Sequence, residues 1–468
     1  MKLRSRILAC ASSLLLLSGC GFSLDQDVGV GDSFVNPVTF GDSGGQSVGG
    51  AGARALVVGD EPYAVKVGAQ VLSQGGSAAD AATAMYFALS VTYPVAAGLG
   101  GGGICIARDL AKNQTEEFDF LARDSGGGGA YAVPGNVRGF AMLQAVYGVL
   151  PWQRDVSPGE GYAATGFPIS RALSVRIAGA VDVIRLDAAL AAEFLDESGQ
   201  AKPAGTVVAN PDLAATLAAI RTGGPNAFYG GNLGARILAY SSQQGGAINV
   251  AEFARYPVGR VAPQAMTFGS QTVYLPSQQT GAGAFAGNLF DTLARAQRTS
   301  TGANDPQAAV ILAVRDALAK FKVTALPKDL GATGFAATDA NGQTVSCAVT
   351  MNGPFGSGHN AQGTGVTLAK SPSAGEAGMA AAFLTPVIAT DGSGALTLAG
   401  AGAGGPNGTA AIGYALSRVA RGEQISRRSD LRSTGEAPYD TVNAITCGGG
   451  ICVALPDPMA NGLGAAGQ

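Results

Sequence analysis

The chain has 468 residues, 47% hydrophobic and 13% charged, with a formal net charge of -3. That is enough chain to bury one large core or two ordinary ones. No basic run is present, which argues against electrostatic capture of nucleic acid. Glycine is unusually frequent, at 71 residues, and no repeat of solenoid length is visible.

Lys2, Arg4 and Arg6 precede the apolar run Ile7 to Leu17, which closes on Leu17-Ser18-Gly19-Cys20. This is an export signal, and its end resembles the lipobox of bacterial lipoprotein signals. The resemblance implies removal of residues 1–19, lipidation of Cys20 and attachment to a membrane of the cell envelope. Gly21, in place of an acidic residue, resembles lipoproteins sent on to the outer membrane, facing the periplasm. An ordinary signal peptide or a short anchor helix is the alternative, although the apolar run is short for a bilayer span. Residues 20–54, rich in Gly, Ser, Asp and Val without periodicity, read as a tether.

The fold is expected to begin near Ala55. Pro62 to Gln74 reads as a helix stopped by Gly75-Gly76, and Ser77 to Val91 as a buried Ala-rich helix with Asp80 in its first turn. Gly98-Leu99-Gly100-Gly101-Gly102-Gly103 then leads into a strand, Ile104 to Arg108. A phosphate cradle needs a helix N-terminus or a lysine next to such glycines, and neither follows. Close backbone packing is the better reading. Helices and strands alternate onward to a helix at Pro306 to Phe321, with only Lys322 to Gly331 before the next strand.

That next segment, GATGFAATDANGQTVSCAVTMNGPFGSG from Gly331 to Gly358, reads as a β-hairpin. Phe335 to Thr338 and Thr344 to Met351 are its arms, and Asn341-Gly342 in the turn supplies residues that accept positive φ. Thr350 and Asn352, two residues apart, point the same way at the end of the second arm.

The hairpin is similar to the start of the small subunit of γ-glutamyltranspeptidases, which are N-terminal-nucleophile hydrolases. Phe335 takes the family's aromatic, Asp339 and Gly342 its turn, Thr350 and Asn352 its Thr-x-Asn, and Phe355-Gly356-Ser357-Gly358 its glycine loop. The block from Gln74-Gly75-Gly76-Ser77 to the glycine run resembles the opening of the large subunit. Val133-Pro134-Gly135, Gly139-Phe140, Gly166-Phe167, Gly224 to Tyr229 and Phe253 to Pro263 fit in order. The resemblance implies an α+β fold, a four-layer αββα sandwich. It makes residues 55–331 the large-subunit-like part and 332–468 the small-subunit-like part of one domain.

In that family a Thr released by self-cleavage attacks the substrate, with its new α-amine as base. Here the position is Ala332, which has no oxygen. A slip of one residue would offer Thr333 instead, but it turns every side chain to the opposite face, away from Thr350, unless a bulge intervenes. The carboxylate-binding Arg of the family falls on Leu121, after Asp119-Phe120, with Arg123 two residues on and, on an extended strand, on the same face. The amine-binding Asp falls on Ala374, and the paired serines on Ala382 and Phe383. Gly404 and Gly405 resemble the oxyanion donors, or serve as a tight turn before a helix at Thr409 to Arg421.

The expectation is therefore an uncleaved family member with a decayed site. It would act as a binding or structural protein, with a small-molecule or peptide ligand in the old cleft. The alternative is an active γ-glutamyl hydrolase or transferase on glutathione-like substrates, self-cleaved before Thr333, with Thr350 and Asn352 in the site and Arg123 on the substrate carboxylate. The short connector suits the uncleaved chain. Once Cys10 is removed and Cys20 lipidated, four cysteines remain, and Cys447 and Cys452 lie across a glycine turn within possible disulfide range. A zinc site would need two more nitrogen or sulfur ligands, and the chain has one histidine. No metal and no cofactor are expected, and Ser357 with His359 lacks the acid a catalytic dyad would need.

Overall fold

A computed structural model describes residues 55–299, 305–432 and 439–467. The export signal, Cys20 and the tether lie outside the described residues. Among these residues, no helix is long and apolar enough to cross a membrane.

Two antiparallel sheets are stacked between helices. The first has seven strands in the order Leu463–Ala466, Leu56–Gly59, Ala332–Thr338, Gln343–Thr350, Gly102–Asp109, Gln114–Phe120 and Gly259–Val261. The second has six: Ile451–Leu455, Thr441–Gly448, Leu396–Ala403, Thr385–Thr390, Gln271–Leu275 and Gln264–Phe268. Helices Pro62–Ser73, Ala78–Thr92 and Asn136–Tyr147 cover the first sheet, and Gly283–Ala296, Pro306–Lys320 and Pro406–Val419 the second. The hairpin from the C-terminal part sits between strands of the N-terminal part, so the two share one sheet and one domain.

Local sequence explains the helix that lies behind the hairpin. Ser77 caps Ala78–Thr92 by accepting from Asp80 N, while the Asp80 carboxylate accepts from Ser77 N in return. Such a capping box satisfies two orphan donors of the first turn. Asp80 Oδ2 also accepts from Val149 and Leu150, which fastens the next loop to the helix start.

The glycine run is spent on close packing. A Cβ on Gly100 would come within 2.1 Å of Thr367 O, and one on Gly102 within 1.9 Å of Ala122 N. In the hairpin turn, Gly342 alone of the Asn341-Gly342 pair takes positive φ, at 86°. Asp339 Oδ1 instead accepts from Asn341 N and Gln343 N, so a side chain shapes the turn that two left-handed residues were expected to shape. Two disulfides cross paired strands: Cys447 to Cys452 over the glycine turn, and Cys105 to Cys347 in the middle of the first sheet.

Several carboxyl groups are buried or half-buried and raised by desolvation. Asp155 is pushed up to about 9, first by burial and then by the charge of Asp80 and a hydrogen bond shared with it. Apart from that shared bond, Asp80 Oδ1 and both Asp155 oxygens have no partner, so a proton on Asp155 gives it a donor for Asp80. Burial also lifts Glu193 to about 8 and Glu61 to about 7. A carboxyl raised in the folded state holds a proton that the unfolded chain releases near about pH 4, so its contribution is full below that pH and fades as pH rises through the folded value. Stability should therefore fall between about pH 5 and pH 9. Asp155→Asn, which stays neutral and can still donate to Asp80, should recover at least about 1.4 kcal/mol of that loss, the worth of one pKa unit. Urea titration at both pH values checks this; equal pH slopes for the two proteins would refute it.

Candidate active site

The first arm of the hairpin runs in unbroken register against the second, from Thr338 opposite Thr344 to Ala332 opposite Thr350. No bulge shifts Thr333, which pairs with Val349. Ala332 is fully buried, in a cluster with Leu121, Ala348, Leu384, Ala401 and Ala403 from both sheets. The residue at the nucleophile position thus sits in apolar packing.

Thr333 is equally buried, and its hydroxyl donates to Asp60 Oδ2 at 2.6 Å. Thr441 Oγ1 donates to the same oxygen at 2.8 Å, and Asn443 Nδ2 to Asp60 Oδ1 at 2.8 Å and to Gly334 O at 2.9 Å. Burial raises the Asp60 carboxyl, while hydrogen bonds from Thr333 and Asn443 oppose that rise. Three donors from two sheets converge on one carboxylate, so the Thr333 hydroxyl is engaged in structure.

Thr350 does not meet Thr333. Its hydroxyl donates to Gly331 O at 3.0 Å and accepts from Asn352 N at 2.9 Å, closing the chain just before Ala332. Asn352, with φ of 56°, donates through Nδ2 to Lys370 O. Both polar groups are satisfied by backbone.

The approach to Ala332 is clamped from the other side. Arg176, 2% exposed, makes a two-pronged pair with Asp329, Nε to Oδ2 at 2.8 Å and Nη2 to Oδ1 at 2.6 Å. Asp329 Oδ1 also accepts from Gly331 N at 2.7 Å, and Arg176 Nη1 approaches Ala332 O at 3.5 Å. Gly331 has φ of 60°, and a Cβ there would come within 2.0 Å of Gly353 O, so only glycine fits.

The glycine pair ends the strand Leu396–Ala403. Gly404 has φ of 89°, and Gly405 precedes helix Pro406–Val419, which starts three residues earlier than the sequence suggested because proline is well suited to a first helical position. The Asp440 carboxylate lies against Gly405 and accepts from Asn407 N at 3.1 Å. Burial lifts Asp440 to about 6, while the Asn407 N–H and the Arg432 charge hold it down. The positive end of this helix, where an oxyanion would be stabilised, is facing a carboxylate of the chain itself.

The expected substrate contacts are not assembled. The strand ends at Phe120, so Arg123 does not continue on the face of Leu121; its guanidinium pairs with Asp119 Oδ2 at 3.1 Å and stacks 5.3 Å from the Tyr256 ring. Ala374 is exposed, and Phe383 packs edge-on against Phe285. Ser357 accepts from the backbone N of His359, whose ring lies edge-on to Tyr131, so no Ser-His dyad forms.

The sequence model of gamma-glutamyltranspeptidase matches residues 64–320, more than half of the chain. The chain belongs to the gamma-glutamyltranspeptidase family. Among curated relatives, the acylase ACY 1 proenzyme of Pseudomonas sp. (strain SE83) is 29% identical over 289 residues, covering 56% of this chain and 52% of its own. Glutathione hydrolase 2 of Arabidopsis thaliana is 32% identical over 220 residues, covering 44% of this chain and 38% of its own. The chain thus spans about half, or less, of the length of these relatives. The crystal structure of cephalosporin acylase from Bacillus halodurans superposes with a TM-score of 0.71 at 17% identity, covering 92% of this chain and 99% of that one. The gamma-glutamyltranspeptidase of Helicobacter pylori gives a TM-score of 0.50 at 24% identity over 56% of this chain and 81% of that one. At these identities the superpositions show the fold, the αββα sandwich of N-terminal-nucleophile hydrolases.

The residues that fix this site, Asp60, Arg176, Asp329 and Asp440, carried no local sequence signal. Removing one partner of the buried pair tests the clamp. Arg176→Gln should cost about 3–5 kcal/mol, the usual loss when a buried ion is left without its counter-charge. Denaturant unfolding reads this directly; a change below about 1 kcal/mol, the level of an exposed pair, would show that Asp329 is solvated.

Proposed function

We propose that this gamma-glutamyltranspeptidase family member is an uncleaved, non-catalytic protein of the cell envelope, held to a membrane by a lipid on Cys20 and serving as a binding or structural component. The observation that carries the reading is the burial of Ala332, at 0% exposure, beside a Thr333 hydroxyl committed to Asp60. Family chemistry needs an oxygen nucleophile next to a free α-amine. An alanine supplies no oxygen, and an amine appears only if the bond before it is cut.

The surroundings support the same reading. Leu121 and Ala374 provide no charge for a substrate carboxylate and amine, for which a guanidinium fork and a carboxylate are the natural partners. Asp440 would repel an oxyanion from the Gly404-Gly405 end of its helix. Any ligand entering the old cleft would be one without a glutamyl head group, and it would have to displace Leu121 and Leu384.

The relatives named above are enzymes, which favours one other reading: self-cleavage before Thr333 and γ-glutamyl turnover with Thr333 as nucleophile. Intact-mass analysis of the purified mature protein separates the two. A single chain, with no hydrolysis of γ-glutamyl-p-nitroanilide, is the expected result, and Thr333→Ala should leave it unchanged. Two fragments meeting between Ala332 and Thr333, or turnover that Thr333→Ala abolishes, would overturn the proposal.

A further inference from the structure

At the opposite end of the sheets from Ala332 lies a cavity of about 330 Å³, beneath the turns that join successive strands. Thr338 and Thr344 line it, six residues along the hairpin from Ala332 and Thr350, or about 20 Å at the rise of a strand. Its volume is at the lower end of the range for small-molecule sites. The walls are mostly apolar, with Leu110, Leu396 and the Cys447–Cys452 disulfide among them.

One charged side chain in the lining stands out. Arg108 is 4% exposed, yet no carboxylate among the described residues lies within ion-pair distance of it. Its four terminal contacts are all to neutral oxygens: Nη1 to Thr115 Oγ1 at 2.9 Å and to Tyr274 OH at 3.4 Å, Nη2 to Asn113 Oδ1 at 3.0 Å and to Gly394 O at 3.5 Å. Its Nε is buried and has no acceptor. A buried cation in this condition is costly, and a bound anion removes the cost.

Two carboxylates, Asp339 and Asp391, also line the cavity, but both Asp339 oxygens and Asp391 Oδ1 accept from other donors. Asp339 accepts from Asn341 N, Gln343 N and, at the start of a helix, Ala78 N. Asp391 Oδ1 accepts from Ser393 N, Ser393 Oγ and Ala395 N in its turn, and these bonds hold it below the usual carboxylate range, against slight burial. Amide dipoles thus answer both negative charges locally, while the guanidinium has only neutral partners.

We propose that this cavity binds a small organic carboxylate with an apolar body, its carboxylate on Arg108 and its body against Leu110, Leu396 and the disulfide. The site is independent of the Ala332 region and of whether that region is catalytic. Arginine is suited to the task because its planar fork matches a carboxylate.

Phenylacetate and its neutral isostere phenylacetamide are the probes, followed by calorimetry and by amide shifts in the NMR spectrum of the full mature chain. Saturable millimolar binding of phenylacetate is expected, with shifts at Gly394 and Gly449 and at least about tenfold weaker binding of the amide. Arg108→Gln should weaken phenylacetate by about tenfold or more while leaving the amide unaffected. Leu110→Trp changes a side chain that is 44% exposed, so the fold tolerates it, and it should block both probes by filling the mouth. Equal affinity for the two probes, no saturable phenylacetate binding, or shifts confined to residues outside this end would each overturn the proposal. If Arg108→Gln does not fold, undiminished binding to Leu110→Trp overturns it alone.

Discussion

The close approach of the two sheets governs the rest of the molecule. Where the central strands Ala332–Thr338 and Leu396–Ala403 face each other, the residues are small, Ala332, Gly334 and Ala336 against Ala399, Ala401 and Ala403, while Ile104, Ile106, Ile388 and Ile445 fill the space to either side. A Cβ on Gly334 would come within 2.7 Å of the Ala401 Cβ, so even alanine is too large there. Ser346 spans the gap and donates to Gly400 O at 2.6 Å. Protein interiors pack as densely as organic crystals, and small side chains let these two strands approach closely. The nucleophile position is caught in that contact.

Buried polar groups then fix the two sheets in one relative position. Asp60 gathers donors from Thr333, Thr441 and Asn443, and Arg176 with Asp329 secures the chain as it enters the strand at Ala332. Such groups contribute little through Coulomb energy alone, because desolvation offsets most of the attraction. Their effect is on geometry: a shifted strand would leave several of them unpaired at once. The family scaffold is kept, and these buried polar groups are bound to one another.

Much of this was legible from local pattern. The hairpin, the helix that begins near Ser77 with Asp80 in its first turn and the packing role of Gly100 to Gly103 all follow from residues close together in sequence. The register argument that separates Thr333 from Thr350 rests only on the two-residue period of a strand. The rest depended on long-range contacts. Thr333 and Asp60 are 273 positions apart, Arg176 and Asp329 are 153 apart, and the disulfide Cys105–Cys347 spans 242. No spacing or periodicity announces such pairs. Arg123 departs from the face its spacing suggests because the strand ends at Phe120, and its guanidinium pairs with Asp119.

The order of strands in the first sheet has a consequence for how the molecule comes to exist. Leu56–Gly59, the first of the described strands, lies between Ala332–Thr338 and Leu463–Ala466, the last of them. Gly102–Asp109 likewise waits for Gln343–Thr350. A growing chain therefore carries its early strands with open edges until residues about 270 to 400 positions later have been made. Open edges invite pairing with other chains, and long-range pairing of this kind forms slowly. Pairing Leu56–Gly59 with both neighbours thus joins distant parts of the chain in one step, and the sheet is assembled only when its early and late strands are present together.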